Sequence, residues 1–256
     1  MTPLVLVHGF MGGSAQWALQ APLGAGRAVI ALDLPGFGAN ADLSPIDAIP
    51  DFAARTLARL TARGVDRFDL LGHSMGGMIV QEMVRQAPDR VGRLILYGTG
   101  AQGVLPGRFE PIETSMARAR AEGAAATASR ISATWFLHRE DAAHYPACAA
   151  IARNAGLEAI LAGLAAMRDW SGEDHLPRVA CETLVLWGDR DRTYGWSQIE
   201  QLWRTIPSAQ LAVVPGCAHA VHMERPEIFN ALVEGFLAPL GLSGGPPSEA
   251  QSKASL

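Results

Sequence analysis

The stretch "FDLLGHSMGGMIVQEMV", Phe68 to Val84, decides how the chain folds. It opens on an apolar run of strand type, and behind that Met75, Met78, Ile79 and Met83 recur at helical spacing. Between the two, Gly72, Gly76 and Gly77 crowd around Ser74. Gly72-His73-Ser74-Met75-Gly76 fits the pattern Gly-x-Ser-x-Gly, whose glycines let the backbone turn sharply from a strand into a helix. Such a turn lifts the serine oxygen above the sheet edge. The helix N-terminus beside it offers free N–H groups and positive potential to a developing anion. A serine hydroxyl is a poor nucleophile until a base takes its proton and the resulting oxyanion is stabilised. The rest of the chain must therefore supply a base, an acid and an oxyanion partner.

Outward from this stretch, short apolar runs alternate with segments of helical period. Strands are expected at Leu4–Val7, Ala28–Leu32, Phe68–Leu71, Leu94–Tyr97, Thr183–Trp187 and Leu211–Val214. Their near-continuous apolar character suits parallel strands buried on both faces. Helices are expected at about Ile49–Arg63, Met75–Gln86, Trp196–Thr205 and Pro226–Leu237. In the last, Pro226 occupies a tolerated first-turn position, while Ile228, Leu232 and Phe236 share a face. The alternation predicts an α/β fold with a mostly parallel sheet covered on both sides.

The rhythm breaks after Leu105. Residues 105–176 are rich in alanine and arginine, poor in strand formers, and read as several short helices, the clearest interrupted at Gly123. They form an expected helical cap inserted into a core of residues 1–104 and 177–240. Residues 241–256 have almost nothing to bury and are expected to be a disordered tail.

Composition excludes several classes. The 256 residues suffice for one large α/β domain or two small ones, with 49% hydrophobic and 18% charged residues. A net charge of −4 without a basic stripe or tail argues against nucleic acid as a partner. Cys148, Cys181 and Cys217 are odd in number, widely separated, and form neither a disulfide framework nor a zinc motif. The N-terminus lacks the basic flank of a signal peptide, and no run is long enough for a membrane helix. A soluble cytoplasmic protein acting on a small molecule, with no membrane partner, is the expectation; oligomeric state stays open.

With these motifs in order, the chain resembles the α/β-hydrolases, in particular the small capped ester and lactone hydrolases and the carbon–carbon bond hydrolases of ring-cleavage products. The likeness runs from about Pro3 to Leu240. "LVLVHGFMGGSAQW" is similar to the family's His-Gly oxyanion loop, which implies that the Phe10 and Met75 backbone N–H groups face the reacting carbonyl. "TLVLWGDRDRTYGW" supplies the acid, and the Gly-x-x-Asp pattern counted from Gly188 favours Asp191 over Asp189. Asp189, next to the strand end, suits turn hydrogen bonds instead. "VVPGCAHAVHMERPEIF" resembles the family's Gly-x-x-His segment, which implies His219 as base with His222 as the alternative. His8 and His73 sit in the glycine loops as backbone-orienting residues, and His138, His144 and His175 are read as structural or solvated. Glu224 and Arg225 are also read as structural, with Glu224 near the dipole of the final helix. "DLPGFGAN" needs only turn chemistry.

The set Ser74, Asp191 and His219 implies acyl transfer with no cofactor and no metal. A serine nucleophile sets the chain apart from dehalogenases and epoxide hydrolases of this fold, which use a carboxylate there. Expected pocket residues are Met11, Met78, Trp135, Phe136, Met167 and Trp170. Met78 stands where the similar synthase of menaquinone biosynthesis carries an arginine, so an anionic substrate would need a cap cation such as Arg108, Arg118, Arg130 or Arg153. Members of the family commonly have a strand hairpin before the oxyanion loop, whereas this chain begins almost at that loop, so a sheet of about six strands is expected, with Leu4–Val7 nearer an edge than usual. A non-catalytic ligand receptor on the same fold is the rival reading.

Overall fold

The computed structural model describes residues 1–104 and 110–238. Arg108 and the segment 241–256 lie outside the described residues, as does the start of the expected cap.

Six strands form one sheet in the order β2-β1-β3-β4-β5-β6. They are β1 (Leu4–Val7), β2 (Val29–Leu32), β3 (Phe68–His73), β4 (Val91–Tyr97), β5 (Glu182–Gly188) and β6 (Ala209–Val214). Every pairing is parallel. β1 is paired on both sides and stands one strand from the edge that β2 forms.

Strand alternation divides the core in two. Val5, Val7, Leu70, Leu94, Leu96, Val185 and Trp187 face one side. There they meet helices α1 (Ile49–Ala62) and α2 (Met75–Gln86), and later α7 (Trp196–Thr205). Leu4, Leu6, Leu71, Ile95, Tyr97, Leu184 and Leu186 face the other. That side is closed by a 3-10 segment, Ser14–Ala25, a short helix α8 (Val221–Glu224) and α9 (Pro226–Leu237). Because both faces are covered, the strands need no polar face. The sequence shows no strand or helix period over Ser14–Ala25, since Pro22 lies within it, yet its Trp17 and Leu23 are core residues.

Between β4 and β5 lie α3 (Ile112–Glu122), α4 (Ala124–Ala133), α5 (Tyr145–Ala152) and α6 (Leu157–Arg168). Gly123, at φ +82°, separates α3 from α4 in a conformation that glycine adopts without steric cost. α3 packs on α6 and α4 on α5. Among the described residues no single helix is long and apolar enough to cross a membrane.

Candidate active site

In a parallel α/β sheet the loops at the carboxyl ends of the strands converge. Ser74 follows β3, Asp191 follows β5 and His219 follows β6 at this edge. Ser74 has φ +56° and ψ −121°, a conformation costing a side chain of order 1–3 kcal/mol. The surroundings hold it there. Its N–H donates to Tyr97 O at 3.0 Å, and its carbonyl accepts from Gly77 N at 2.8 Å and from Thr99 Oγ1 at 2.8 Å. The motif glycines are required by contact as well: a Cβ on Gly72 would lie 2.3 Å from Gly76 O, and one on Gly76 2.3 Å from Val7 O. Strand and helix thus pass at backbone distance. Met75, in the first turn of α2, keeps an N–H with no carbonyl one turn back in its own helix.

The Phe10 loop presses on the same point. A Cβ on Gly9 would be 3.0 Å from Ser74 Cβ, and Met11 is bent to φ +54°. His8 anchors this loop. Its Nδ1–H donates to Gly9 O at 2.7 Å and its Nε2 accepts from Leu34 N at 3.0 Å, which uses both ring nitrogens of the neutral form. Complete burial pushes its pKa down to about 4.

Asp191 and His219 are in contact: Nδ1 of the imidazole is 2.8 Å from Oδ2 of the carboxylate, and both side chains are buried. The other oxygen, Oδ1, accepts from Thr193 N at 2.7 Å and Tyr194 N at 3.2 Å, so the carboxylate cannot swing away. Asp189 turns elsewhere and accepts from Gly216 N at 2.7 Å. His222 does not face Asp191. Its Nδ1 lies 3.0 Å from Tyr97 Oη.

Beneath His219 lies a group of side chains that sequence motifs do not reveal. Tyr97 Oη donates to the His219 carbonyl at 2.7 Å, and His73 Nε2–H donates to the same carbonyl at 3.1 Å. The Tyr97 oxygen in turn accepts from His222 Nδ1–H and from His222 N at 3.2 Å. His73 stacks on Tyr97 with ring centroids 4.4 Å apart, and lies tilted against His219 at 4.5 Å. Burial, with His219 and His222 nearby, holds the His73 pKa well below the usual value. Burial brings His222 to about 3 and pushes the Tyr97 phenol well up. All three stay neutral around neutral pH. The only available signal for Tyr97 was its position as the last residue of a strand at the carboxyl edge.

The expected pocket residues separate. Trp135 lies beside His219, with ring centroids 6.4 Å apart. Met11 and Met78 are fully packed in the core cluster that contains Phe10 and Phe37. Trp170 instead walls a cleft of about 300 Å³ with Asp47, Pro50, Glu82, Arg85 and Asp169. Phe136 borders another, of about 450 Å³, with His138, His144 and Met223. Neither cleft contains Ser74, Asp191 or His219. Glu224 holds backbone together: its carboxylate accepts from Leu137 N at 2.6 Å and from Ala218 N at 2.7 Å. Of the cap arginines considered for an anion, Arg118 and Arg130 are paired with Glu110 and Glu122, and Arg153 donates to Ser129 Oγ. The cysteines are free, and burial pushes Cys148 up to about 12. Among the described residues no group of three His, Cys, Asp or Glu side chains could hold a metal ion.

A strained serine at a strand–helix turn and an Asp–His pair on the adjacent loops, all on a parallel sheet, define a class of fold. The model of the alpha/beta hydrolase family matches residues 4–232, and the chain belongs to that family. It is 29% identical to a 2-hydroxy-6-oxononadienedioate/2-hydroxy-6-oxononatrienedioate hydrolase of Pseudomonas putida, over 91% of this chain and 87% of that one. It is 31% identical to the dihydrolipoyllysine-residue acetyltransferase component of an acetoin cleaving system of Pseudomonas putida. That match covers 92% of this chain but spans only 63% of the longer protein. Among solved structures, a thermophilic esterase from Thermogutta terrifontis superposes with a TM-score of 0.84 at 28% identity, over 93% of this chain and 89% of that one.

Proposed function

We propose that the protein is a serine hydrolase that cleaves a carboxylic ester, lactone or thioester of a small, partly apolar substrate through an acyl-enzyme. The observation that carries this reading is the buried Asp191–His219 pair at the same sheet edge as the strained Ser74. In this scheme His219 takes the Ser74 proton as the oxygen attacks the carbonyl, and Asp191 supports the imidazolium. The Phe10 and Met75 N–H groups hold the oxyanion. The tetrahedral intermediate collapses as the leaving alkoxide takes the proton back from His219. Water, deprotonated by the same histidine, then attacks the acyl-enzyme, and the acid is released as the Ser74 oxygen takes that proton back from His219. Helices α3–α6 act as the cap, within an insert spanning residues 105–176 on a core of 1–104 and 177–240. The free thiols suit the reducing cytoplasm.

Hydrolysis of a carbon–carbon bond beside a ketone is the second reading, favoured by the 29% identity to the Pseudomonas putida hydrolase. Its dioate substrates carry two carboxylates. The pairing of Arg118 and Arg130 with glutamates supports the less charged ester instead. A fluorophosphonate should label the native protein and not Ser74→Ala, and short-chain nitrophenyl esters should turn over faster than a vinylogous 1,5-diketone acid. Equal labelling of both proteins, or none of either, would favour a ligand receptor. Faster turnover of the diketone acid would select the carbon–carbon reading.

A further inference from the structure

One cap segment, Trp135–Leu137, is bonded to the residues flanking both Asp191 and His219. It follows the C-terminus of α4, and its Trp135 and Phe136 N–H groups bond back to Ser132 and Ala133. Its carbonyls point the other way. Trp135 O accepts from Ala220 N at 2.9 Å, directly after His219. Phe136 O and Leu137 O accept from the two terminal nitrogens of Arg192, directly after Asp191, at 3.0 and 3.1 Å. Leu137 N donates to Glu224 Oε1, while Glu224 Oε2 accepts from Ala218 N, directly before His219. A guanidinium suits this task, since its planar fork donates to two acceptors at once. The Asp191 and His219 loops thus share one brace that belongs to neither.

We propose that Arg192 and Glu224 are positioning residues that register the acid and base loops on the cap strap Trp135–Leu137, aligning His219 through the cap as well as through the sheet. This rests on His219 acting as the base of Ser74. Loops held only by their own strands could drift separately, and a misplacement of about 1 Å costs on the order of 100-fold in rate.

The test compares wild type, Arg192→Gln, Arg192→Lys, Glu224→Gln and the Arg192→Gln/Glu224→Gln double variant. The readouts are fluorophosphonate labelling, kcat and KM on a short neutral ester, and amide exchange. Each Gln variant should lower labelling and kcat on the order of 10-fold with little change in KM. The double variant should fall little below the poorer single, because both act through one strap. Arg192→Lys should recover part of the loss. Amide exchange at Ala218 and Ala220 should speed up in Arg192→Gln, although Arg192 touches neither group. Unchanged exchange there, a loss confined to KM, or losses that multiply in the double variant would overturn the strap. A wild type that hydrolyses no ester and takes no label would instead remove the Ser74 reading, and the alignment claim with it. The exchange result would still report whether the brace exists.

Discussion

Gly76→Ala tests whether the strand–helix turn is set by contact rather than by glycine's flexibility. The new Cβ would stand 2.3 Å from Val7 O and 2.5 Å from His8 O. Comfortable carbon–oxygen contact begins at about 3.3 Å, so the start of α2 must retreat by about 1 Å. Both clashing atoms are backbone, and β1 is paired on both sides, so the strand cannot give way. Overpacking of this kind costs about 1–3 kcal/mol, and the backbone clash puts it near about 3 kcal/mol. For a chain of this size that lowers Tm by roughly 6–12 °C. The same retreat carries Ser74 and the Met75 N–H away from the Phe10 loop, which should slow labelling by on the order of 100-fold. Gly235→Ala is the control. It also lies in a helix, but nothing stands within 4 Å of its Cβ position. It should raise stability by about 0.5–1 kcal/mol through helix propensity alone. Calorimetry and labelling kinetics on the pair decide the matter. A Gly76→Ala protein that melts and labels like wild type would refute the contact argument.

Three further outcomes are expected. Asp191→Asn should cut ester turnover by on the order of 1,000-fold or more, while Asp189→Asn, which keeps an oxygen able to accept from Gly216 N, stays near wild type; the reverse order would reassign the acid. Tyr97→Phe strips one donor from the His219 carbonyl and leaves the buried His222 Nδ1–H without its acceptor, at a cost of about 1–3 kcal/mol. A melting point equal to wild type would show that Tyr97 holds nothing. Acid should also destabilise the fold through its buried histidines. His8 and His222 have folded pKa values of about 4 and about 3 against 6.5, so the unfolded chain binds the extra protons. Their contribution is complete above 6.5 and declines as pH falls, by about 2–3 kcal/mol each by pH 4.5. The drop in Tm between pH 7 and 4.5 should shrink in His222→Gln, and an undiminished drop would place the sensitivity elsewhere.

What the sequence made legible follows from how local each signal is. Leu4–Val7, Met75–Gln86, Trp196–Thr205 and Pro226–Leu237 fall where period and proline place them. The apolar run places the start of β4 at Leu94 because Gly92 and Arg93 interrupt it, yet the strand begins at Val91, and Arg93 pairs across the sheet with Glu182 at 2.9 Å. No single-strand pattern contains that partner. The candidate serine, acid and base are visible as short motifs because each needs a glycine turn beside it. Tyr97 and Arg192 are not, since what each touches lies 122 and 55–56 residues away. Pocket lining is hard to read for a similar reason: an aromatic residue in the cap announces burial, but the face it is buried against is a property of the assembled helices.

The position of the insert has a consequence for how the molecule assembles. β2, β1, β3 and β4 come from the first part of the chain and can pair as four of the six strands, including the Ser74 turn, before β5 exists. β4 must then wait, with an open edge, until α3–α6 have been made and β5 arrives to pair with it. Pairings between segments so distant in sequence form slowly, and an unpaired apolar strand edge is prone to association meanwhile. The four-stranded intermediate is therefore the species that chaperones or low temperature should protect. Ser74 is in place early, and the Asp191–His219 pair joins its edge of the sheet only when the last two strands close it.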